Sequence, residues 1–131
     1  MSERRPQLTL VFDGTCGFCM RSVRLLEALD RNRRVTALPY QKSGVPGSVG
    51  LTVEECEATA WAIVPSGGRY SGAGAVNAAV AAALGTTLPL FVYSLPGIRQ
   101  LQDLLYHLVA TNRSRLPGDR SYCAQHPAEC Q

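Results

Sequence analysis

The residues best suited to chemistry are Cys16 and Cys19, which are separated by Gly17 and Phe18. If a helix starts at the first cysteine, this spacing lets the two sulfurs form a bond with little movement of the backbone. The free N–H groups and the dipole of a helix N-terminus favour an anion, so Cys16 is predicted to be the attacking thiolate. Cys19 is predicted to be more buried and to resolve the mixed disulfide, and the reverse reaction would oxidise a dithiol.

Asp13 and Gly14 stand on the turn that leads to the cysteines. The Asp13 carboxylate either satisfies backbone N–H groups as an ordinary turn or capping residue, or accepts or relays a proton as Cys19 is activated. Gly14 is predicted to let the turn adopt a positive φ. The candidate catalytic residues are therefore Cys16, Cys19 and Asp13, and their chemistry needs neither a cofactor nor a metal.

A second group of potential ligands is the Cys-x2-His-x3-Cys pattern of Cys123, His126 and Cys130. With Cys16 and Cys19 it offers enough soft ligands for a structural zinc site, so the alternative function is a zinc-binding structural or interaction module. A disulfide between Cys123 and Cys130, or a shuttle that exchanges with the first pair, are two further interpretations.

Cys56 is the remaining cysteine, and it is predicted to be a small buried hydrophobic residue on a short helix. A haem-attachment motif is excluded because Met20 stands where a histidine would have to follow Cys19.

Composition narrows the class of protein. A chain of 131 residues is expected to form one domain, and 46% hydrophobic with 18% charged residues argues against disorder. The net charge of +3 is too small to indicate a protein that binds nucleic acid.

The sequence also bears on location. Asp13 interrupts the first apolar stretch before it could serve as a secretion signal, so a cytoplasmic location is predicted. Residues 70–98 carry no charge, but polar and turn-forming residues interrupt them, so we expect no transmembrane span and leave weak membrane-surface association open.

Local patterns indicate which elements position the cysteines. A buried strand at 8–12 stops at the Asp13-Gly14 turn, and a helix follows at once. Thr52 and Glu55 form a capping box that opens a short helix, and Gly85 ends a helix of small residues. Further strands are predicted at 35–38, 60–64 and 69–72, the last as an antiparallel edge strand after a turn at 66–68. Residues 44–50 are predicted to be a loop.

The later part of the chain is less regular. Residues 88–95 are compatible with a short helix or an extended connection. After Pro96 the apolar residues recur at helical spacing and predict a strongly amphipathic helix. Asn112 and Arg113 are predicted either to cap this helix or to brace the loop near the cysteines. The residues from 112 onward are predicted to be an irregular tail. The order β-α-β-α-β-β-α predicts an α/β fold, a small central sheet flanked by helices.

Three segments resemble one family. Residues 13–19, Asp-Gly-Thr-Cys-Gly-Phe-Cys, are similar to the signature of the DCC family of thiol–disulfide oxidoreductases. Residues 106–118, with Tyr106, Asn112, Arg113 and Gly118, resemble the C-terminal Tyr…Asn-Arg…Gly segment of that family. Residues 68–73 resemble its Gly…Tyr-x-Gly hairpin. The resemblance covers roughly residues 8–118.

The resemblance implies a thioredoxin-like fold in which Cys16 and Cys19 are the redox pair and Asp13 lies beside them. It implies a protein or small-molecule partner that contains a disulfide or a dithiol. We expect a thioredoxin-like domain at 7–118, including an extra C-terminal amphipathic helix, followed by an irregular tail at 119–131. Thioredoxins carry a cis-proline before the third strand, whereas residues 56–60 contain no proline, so we do not expect their usual docking of the substrate backbone.

Overall fold

The computed structural model describes residues 8–65, 68–112, 115–116, 118 and 120–130. Within them a four-stranded mixed sheet has the order β2-β1-β3-β4. Its strands are β1 (Leu8–Phe12), β2 (Val35–Pro39), β3 (Trp61–Ile63) and β4 (Arg69–Ser71). β1 runs parallel to β2 and antiparallel to β3, and β4 pairs antiparallel with β3 at the sheet edge, as predicted. Most of the turn predicted at 66–68 lies outside the described residues. Arg113, for which a capping or bracing role was predicted, also lies outside them.

Helices cover both faces of this sheet. The helices are α1 (Gly17–Leu29), α2 (Val45–Ser48), α3 (Val53–Ala58), α4 (Gly72–Leu84), α5 (Leu88–Ser94), α6 (Ile98–Thr111) and α7 (Tyr122–Gln125), followed by a 3₁₀ turn at Pro127–Glu129. The α/β class with a central sheet flanked by helices is confirmed, and the architecture is that of a thioredoxin-like fold. Among the described residues, no helix is both long enough and apolar enough to cross a membrane.

Alternation along β1 explains the two layers of the core. Successive side chains of a strand point to opposite faces, so Leu8, Leu10 and Phe12 pack with α1 and α4 in one cluster. Val11 points to the other face, where it packs with residues of α2 and α3. The buried residues of α4 are alanines together with Gly74, and their small size lets the helix lie close to the sheet.

Local signals explain where several helices begin and end. The Thr52 hydroxyl accepts from Glu55 N at 3.1 Å and the Glu55 carboxylate accepts from Thr52 N at 2.9 Å, so the predicted capping box is confirmed. Gly85 ends α4 with φ 74°, as predicted. At the end of α1, the buried Asp30 accepts from the backbone N–H groups of Arg34 and Val35, both at 2.8 Å. Asp30 thereby fixes the point at which β2 begins.

Two predictions of irregular structure are wrong in part. Residues 44–50 contain α2, which Gly44 precedes at φ 84°, and the predicted irregular tail contains α7 and a 3₁₀ turn. All three elements are about one turn long, too short for the helical period to show in the sequence. Residues 88–95, left undecided above, are mostly the helix α5.

The amphipathic helix after Pro96 is confirmed as α6, but its apolar face is not covered by the rest of the described chain. No residue of α6 is buried, and Leu101, Leu104, Leu105 and Leu108 are each about half exposed. Polar contacts attach the helix instead, including a bond of 2.6 Å from Asn77 Nδ2 to Gln102 Oε1.

Candidate redox site

The strand pairing brings the site together at one edge of the sheet. β1 ends at Phe12, which pairs with Pro39 at the end of β2. Because β3 runs antiparallel to β1, its first residue Trp61 pairs with Val11 and with Ser71 at the end of β4. Four segments therefore lie at the same edge: residues 13–19, called the cysteine turn below, the loop after β2, the segment before β3 and the start of α4.

Cys16 and Cys19 are joined by a disulfide at the start of α1. Cys16 is the N-cap of the helix, and its Sγ accepts a hydrogen bond from Cys19 N at 3.0 Å. After reduction, this donated N–H and the helix N-terminus are suited to stabilise a thiolate on Cys16. The predicted difference in burial is wrong, because Cys16 is only 8% exposed whereas Cys19 is partly buried.

Gly118, which lies far along the chain, contacts the cysteine turn. A Cβ placed on Gly118 would lie 2.3 Å from both the carbonyl carbon of Gly17 and the nitrogen of Phe18. Gly118 thus touches the peptide bond between the two residues that separate the cysteines. Position along α1 could not reveal this contact, because Gly118 lies about a hundred residues further along the chain.

The Asp13 carboxylate is bound within the turn. Its Oδ1 accepts from Thr15 N at 2.9 Å, Thr15 Oγ1 at 2.7 Å and Gln41 Nε2 at 2.7 Å. A carboxylate oxygen that accepts bonds from its own turn is typical of a residue that fixes backbone geometry. The backbone carbonyl of Asp13 also accepts from Cys16 N at 3.2 Å, so its contacts order the turn that leads to Cys16.

Gln41 is a site residue that sequence reasoning missed. Its Oε1 accepts from Gly14 N at 2.8 Å while its Nε2 donates to Asp13, so one side chain ties the cysteine turn to the loop after β2. No sequence pattern marks Gln41, because its 27-residue separation from Gly14 closes only through the parallel pairing of β1 and β2.

The predicted reason for glycine at position 14 is wrong. Gly14 is not among the residues of positive φ. A Cβ on Gly14 would instead lie 2.8 Å from the Cβ of Pro39 and 2.9 Å from the Sγ of Cys123. Close packing, and not backbone conformation, requires glycine at this position.

Tyr106 holds the segment that leads into β3. Its hydroxyl accepts from Ala60 N at 3.1 Å, and the Thr59 hydroxyl lies 3.2 Å away. A side chain of α6 therefore fixes the segment before β3, and the described residues contain no cis peptide bond. An adjacent cleft of about 560 Å³ has Thr59, Gly72 and Tyr106 on its wall.

The tail cysteines form a separate disulfide, Cys123–Cys130, one of the interpretations left open by the sequence. Both pairs of cysteines are thus bonded internally, and the described residues contain no group of three or more potential metal ligands. Asn112 follows α6 and its Nδ2 donates to Leu108 O at 2.8 Å, which confirms the predicted capping role.

Cys56 is buried on α3 and takes part in no disulfide, as predicted. Burial, and to a lesser degree the nearby charge of Glu55, raises the pKa of the Cys56 thiol above its ordinary value of 9.0. We expect iodoacetamide at pH 8 to alkylate Cys56 at least about tenfold more slowly in the folded protein than in guanidinium chloride, because only the thiolate reacts.

Alkylation time courses read by peptide mass spectrometry would measure this difference, and equal rates in the two states would contradict it. The raised pKa also has a consequence for stability. Its contribution to the free energy of unfolding is fully present below the pKa that Cys56 has in the unfolded chain, and it is lost as pH rises through the higher pKa of the folded protein.

An α/β sheet with a cysteine pair at the junction of its first strand and helix defines a redox protein of the thioredoxin-like class. The comparison with protein families agrees, since residues 10–119 match the family described as DCC1-like thiol-disulfide oxidoreductase. The chain belongs to this family. No curated protein and no solved structure matches the sequence significantly.

Proposed function

We propose that the protein exchanges thiols and disulfides through Cys16 as the attacking thiolate and Cys19 as the resolving thiol. The observation that carries this proposal is the position of Cys16 as the N-cap of α1, with its sulfur accepting the N–H of Cys19. Membership of a thiol–disulfide oxidoreductase family supports the same chemistry.

The reaction has two displacements. The Cys16 thiolate attacks one sulfur of a substrate disulfide, forming a mixed disulfide and releasing the other substrate sulfur as a thiolate. Cys19 then loses its proton and attacks Cys16 Sγ, which releases the second substrate thiolate and leaves Cys16–Cys19 oxidised. Two electrons pass from the protein to the substrate. In the reverse direction the same steps oxidise a dithiol.

The substrate we propose is a protein or small molecule that contains a disulfide or a dithiol. The cleft next to Thr59 and Tyr106 lies at the same sheet edge as the cysteine pair and offers space for part of such a substrate. The cytoplasmic location stays a prediction from the sequence.

Reduction of an aromatic disulfide reagent by the prereduced protein tests this function. We expect the release of aromatic thiolate to be at least about tenfold faster than with an equal concentration of free cysteine, because thiolate at a helix start is favoured near neutral pH. Titration of thiols with and without a chelator separates the zinc alternative, in which the cysteines would react only after the metal leaves. Rates equal to those of free cysteine would contradict the proposal.

We further propose that Asp13 acts as a positioning residue. The substitution Asp13→Asn keeps an oxygen that can accept the bonds from Thr15 and Gln41, so we expect exchange activity within about threefold of the wild type. Asp13→Ala removes three hydrogen bonds to a carboxylate oxygen. We expect it to lower the free energy of unfolding by about 2 kcal/mol and activity by about tenfold.

Denaturant unfolding and a pH–rate profile of the two variants would check this assignment. If Asp13→Asn were as inactive as Asp13→Ala while retaining wild-type stability, the carboxylate would be moving a proton, and the positioning role would be wrong.

A further inference from the structure

The tail disulfide lies against the turn that presents Cys16. Cys123 N donates to Gly14 O at 2.8 Å, and a Cβ on Gly14 would lie 2.9 Å from Cys123 Sγ. The Cys123 sulfur therefore fills the space left by the missing side chain of Gly14. Since two Cα steps of about 3.8 Å each separate Gly14 from Cys16, this sulfur lies within about 12 Å of the Cys16 Cα.

Contacts other than the disulfide hold the tail at this place. The ring of Tyr122 packs edge-on against Phe12, with centroids 6.1 Å apart. Lys42 forms an antiparallel bridge with Cys130, and its Nζ lies 3.6 Å from Glu129 Oε1. The tail can stay near the cysteine turn when the Cys123–Cys130 bond is open.

The tail disulfide joins residues only seven positions apart. By loop-closure entropy it stabilises the fold somewhat less than a disulfide that closes a longer loop. Both Cys123 and Cys130 are partly exposed, so the bond is accessible to exchange. Its position next to a second disulfide calls for a chemical explanation.

We propose that Cys123–Cys130 is a second redox pair that exchanges directly with Cys16–Cys19 of the same chain. This inference rests on the proposed function of the first pair. It assigns the tail the role of an internal relay, which gives the pair at the helix start a second route to disulfides or dithiols outside the protein besides direct reaction with them.

The exchange is balanced within the chain. The Cys16 thiolate attacks Cys123 Sγ, the Cys123–Cys130 bond breaks, and Cys130 leaves as a thiolate that takes up a proton. Cys19 then loses its proton and attacks Cys16 Sγ, which releases Cys123 as a thiolate. The first pair is oxidised and the tail pair is reduced by the same two electrons.

The structure favours Cys123 as the sulfur under attack and Cys130 as the leaving group. Cys123 is the tail cysteine in contact with the cysteine turn. Attack on Cys123 makes Cys130 the leaving group, because the two sulfurs share the tail disulfide.

The rate at which dithiothreitol opens the tail disulfide tests the relay. The full chain is mixed with a low concentration of dithiothreitol, quenched with acid, alkylated and cut after Arg120, so that Cys123 and Cys130 fall in one peptide. We expect wild-type protein to open this disulfide at least tenfold faster than a Cys16→Ser/Cys19→Ser variant, which has no first pair to pass electrons on. Cys56→Ser is the matched control and should behave as wild type.

A second measurement identifies the intermediate. In Cys19→Ser the exchange stops at the mixed disulfide, so non-reducing peptide mapping should find Cys16 linked to Cys123. Circular dichroism would show that each variant is folded. Equal opening rates in wild type and the double variant, with no such link, would overturn the relay.

Failure of the relay can be told apart from failure of the proposed function. If wild-type protein reduces the aromatic disulfide but opens its tail no faster than the double variant, only the relay is wrong.

Discussion

In a background with serine at positions 123 and 130, replacement of Cys16 by serine is expected to lower the rate of reduction of an aromatic disulfide by at least about tenfold, to the rate of an ordinary thiol. A serine hydroxyl is not ionised near neutral pH, whereas the reaction needs a thiolate at the start of α1. The fold should be retained, since serine can also accept the N–H of Cys19 as a helix N-cap. Stopped-flow measurement of the released aromatic thiolate gives the rate.

Cys19→Ser should produce a different defect. Cys16 can still attack, so one aromatic thiolate is released, but the mixed disulfide is not resolved. In a background with serine at positions 123 and 130, reduced wild-type protein should release two thiolates and Cys19→Ser only one. Cys56→Ser, at the buried free cysteine, serves as the control and should release two.

The opposite pattern would assign the roles the other way. If Cys16→Ser gave the single release and Cys19→Ser gave none, Cys19 would be the attacking thiol. Such a result would be explained by exposure, because Cys19 is the less buried of the two residues.

Substitution of Gly118 by alanine is the second change from which we expect a large effect. The new Cβ would lie 2.3 Å from two backbone atoms of Gly17 and Phe18 and 2.5 Å from Gly17 O. Backbone atoms at a helix start cannot move as a flexible side chain would, so the segment of Gly118 must be displaced. Overpacking of this kind costs about 2 kcal/mol, which corresponds to a fall in Tm of about 8 °C for a domain of this size.

Gly47→Ala is the matched control. A Cβ on Gly47 would meet no atom within 4 Å, and Gly47 lies in α2 without a positive φ. Its stability should be unchanged or slightly raised, because alanine restricts the unfolded chain. Thermal unfolding followed by circular dichroism compares the two variants. A Gly118→Ala protein as stable as Gly47→Ala would show that Gly118 does not pack on the cysteine turn.

Displacement of the Gly118 segment also predicts a change at the site. Gly118 covers the peptide between the cysteines, so the Gly118→Ala variant should expose Cys16 and speed its alkylation after reduction. Greater exposure together with lower stability would show that this segment covers the pair in solution.

Local chemistry determined much of this protein. The strand of residues 8–12, its turn and the helix that begins at the cysteines depend on neighbouring residues, and so does the capping box of Thr52 and Glu55. The choice of Cys16, Cys19 and Asp13 followed from the same short stretch. Apolar runs bounded by turn residues and the glycine after α4 predicted the α/β order, because each of these signals acts within a few residues.

Tertiary structure decided what surrounds the cysteines. Gln41, Gly118 and Cys123 reach the turn from distant parts of the chain, and no local pattern places them there. Gly14 is required by the packing of Pro39 and Cys123, which a sequence interpretation in terms of φ could not foresee. The position of Cys123 beside Gly14 depends on a contact between residues far apart in sequence, which forms only when the sheet brings its strand ends to one edge.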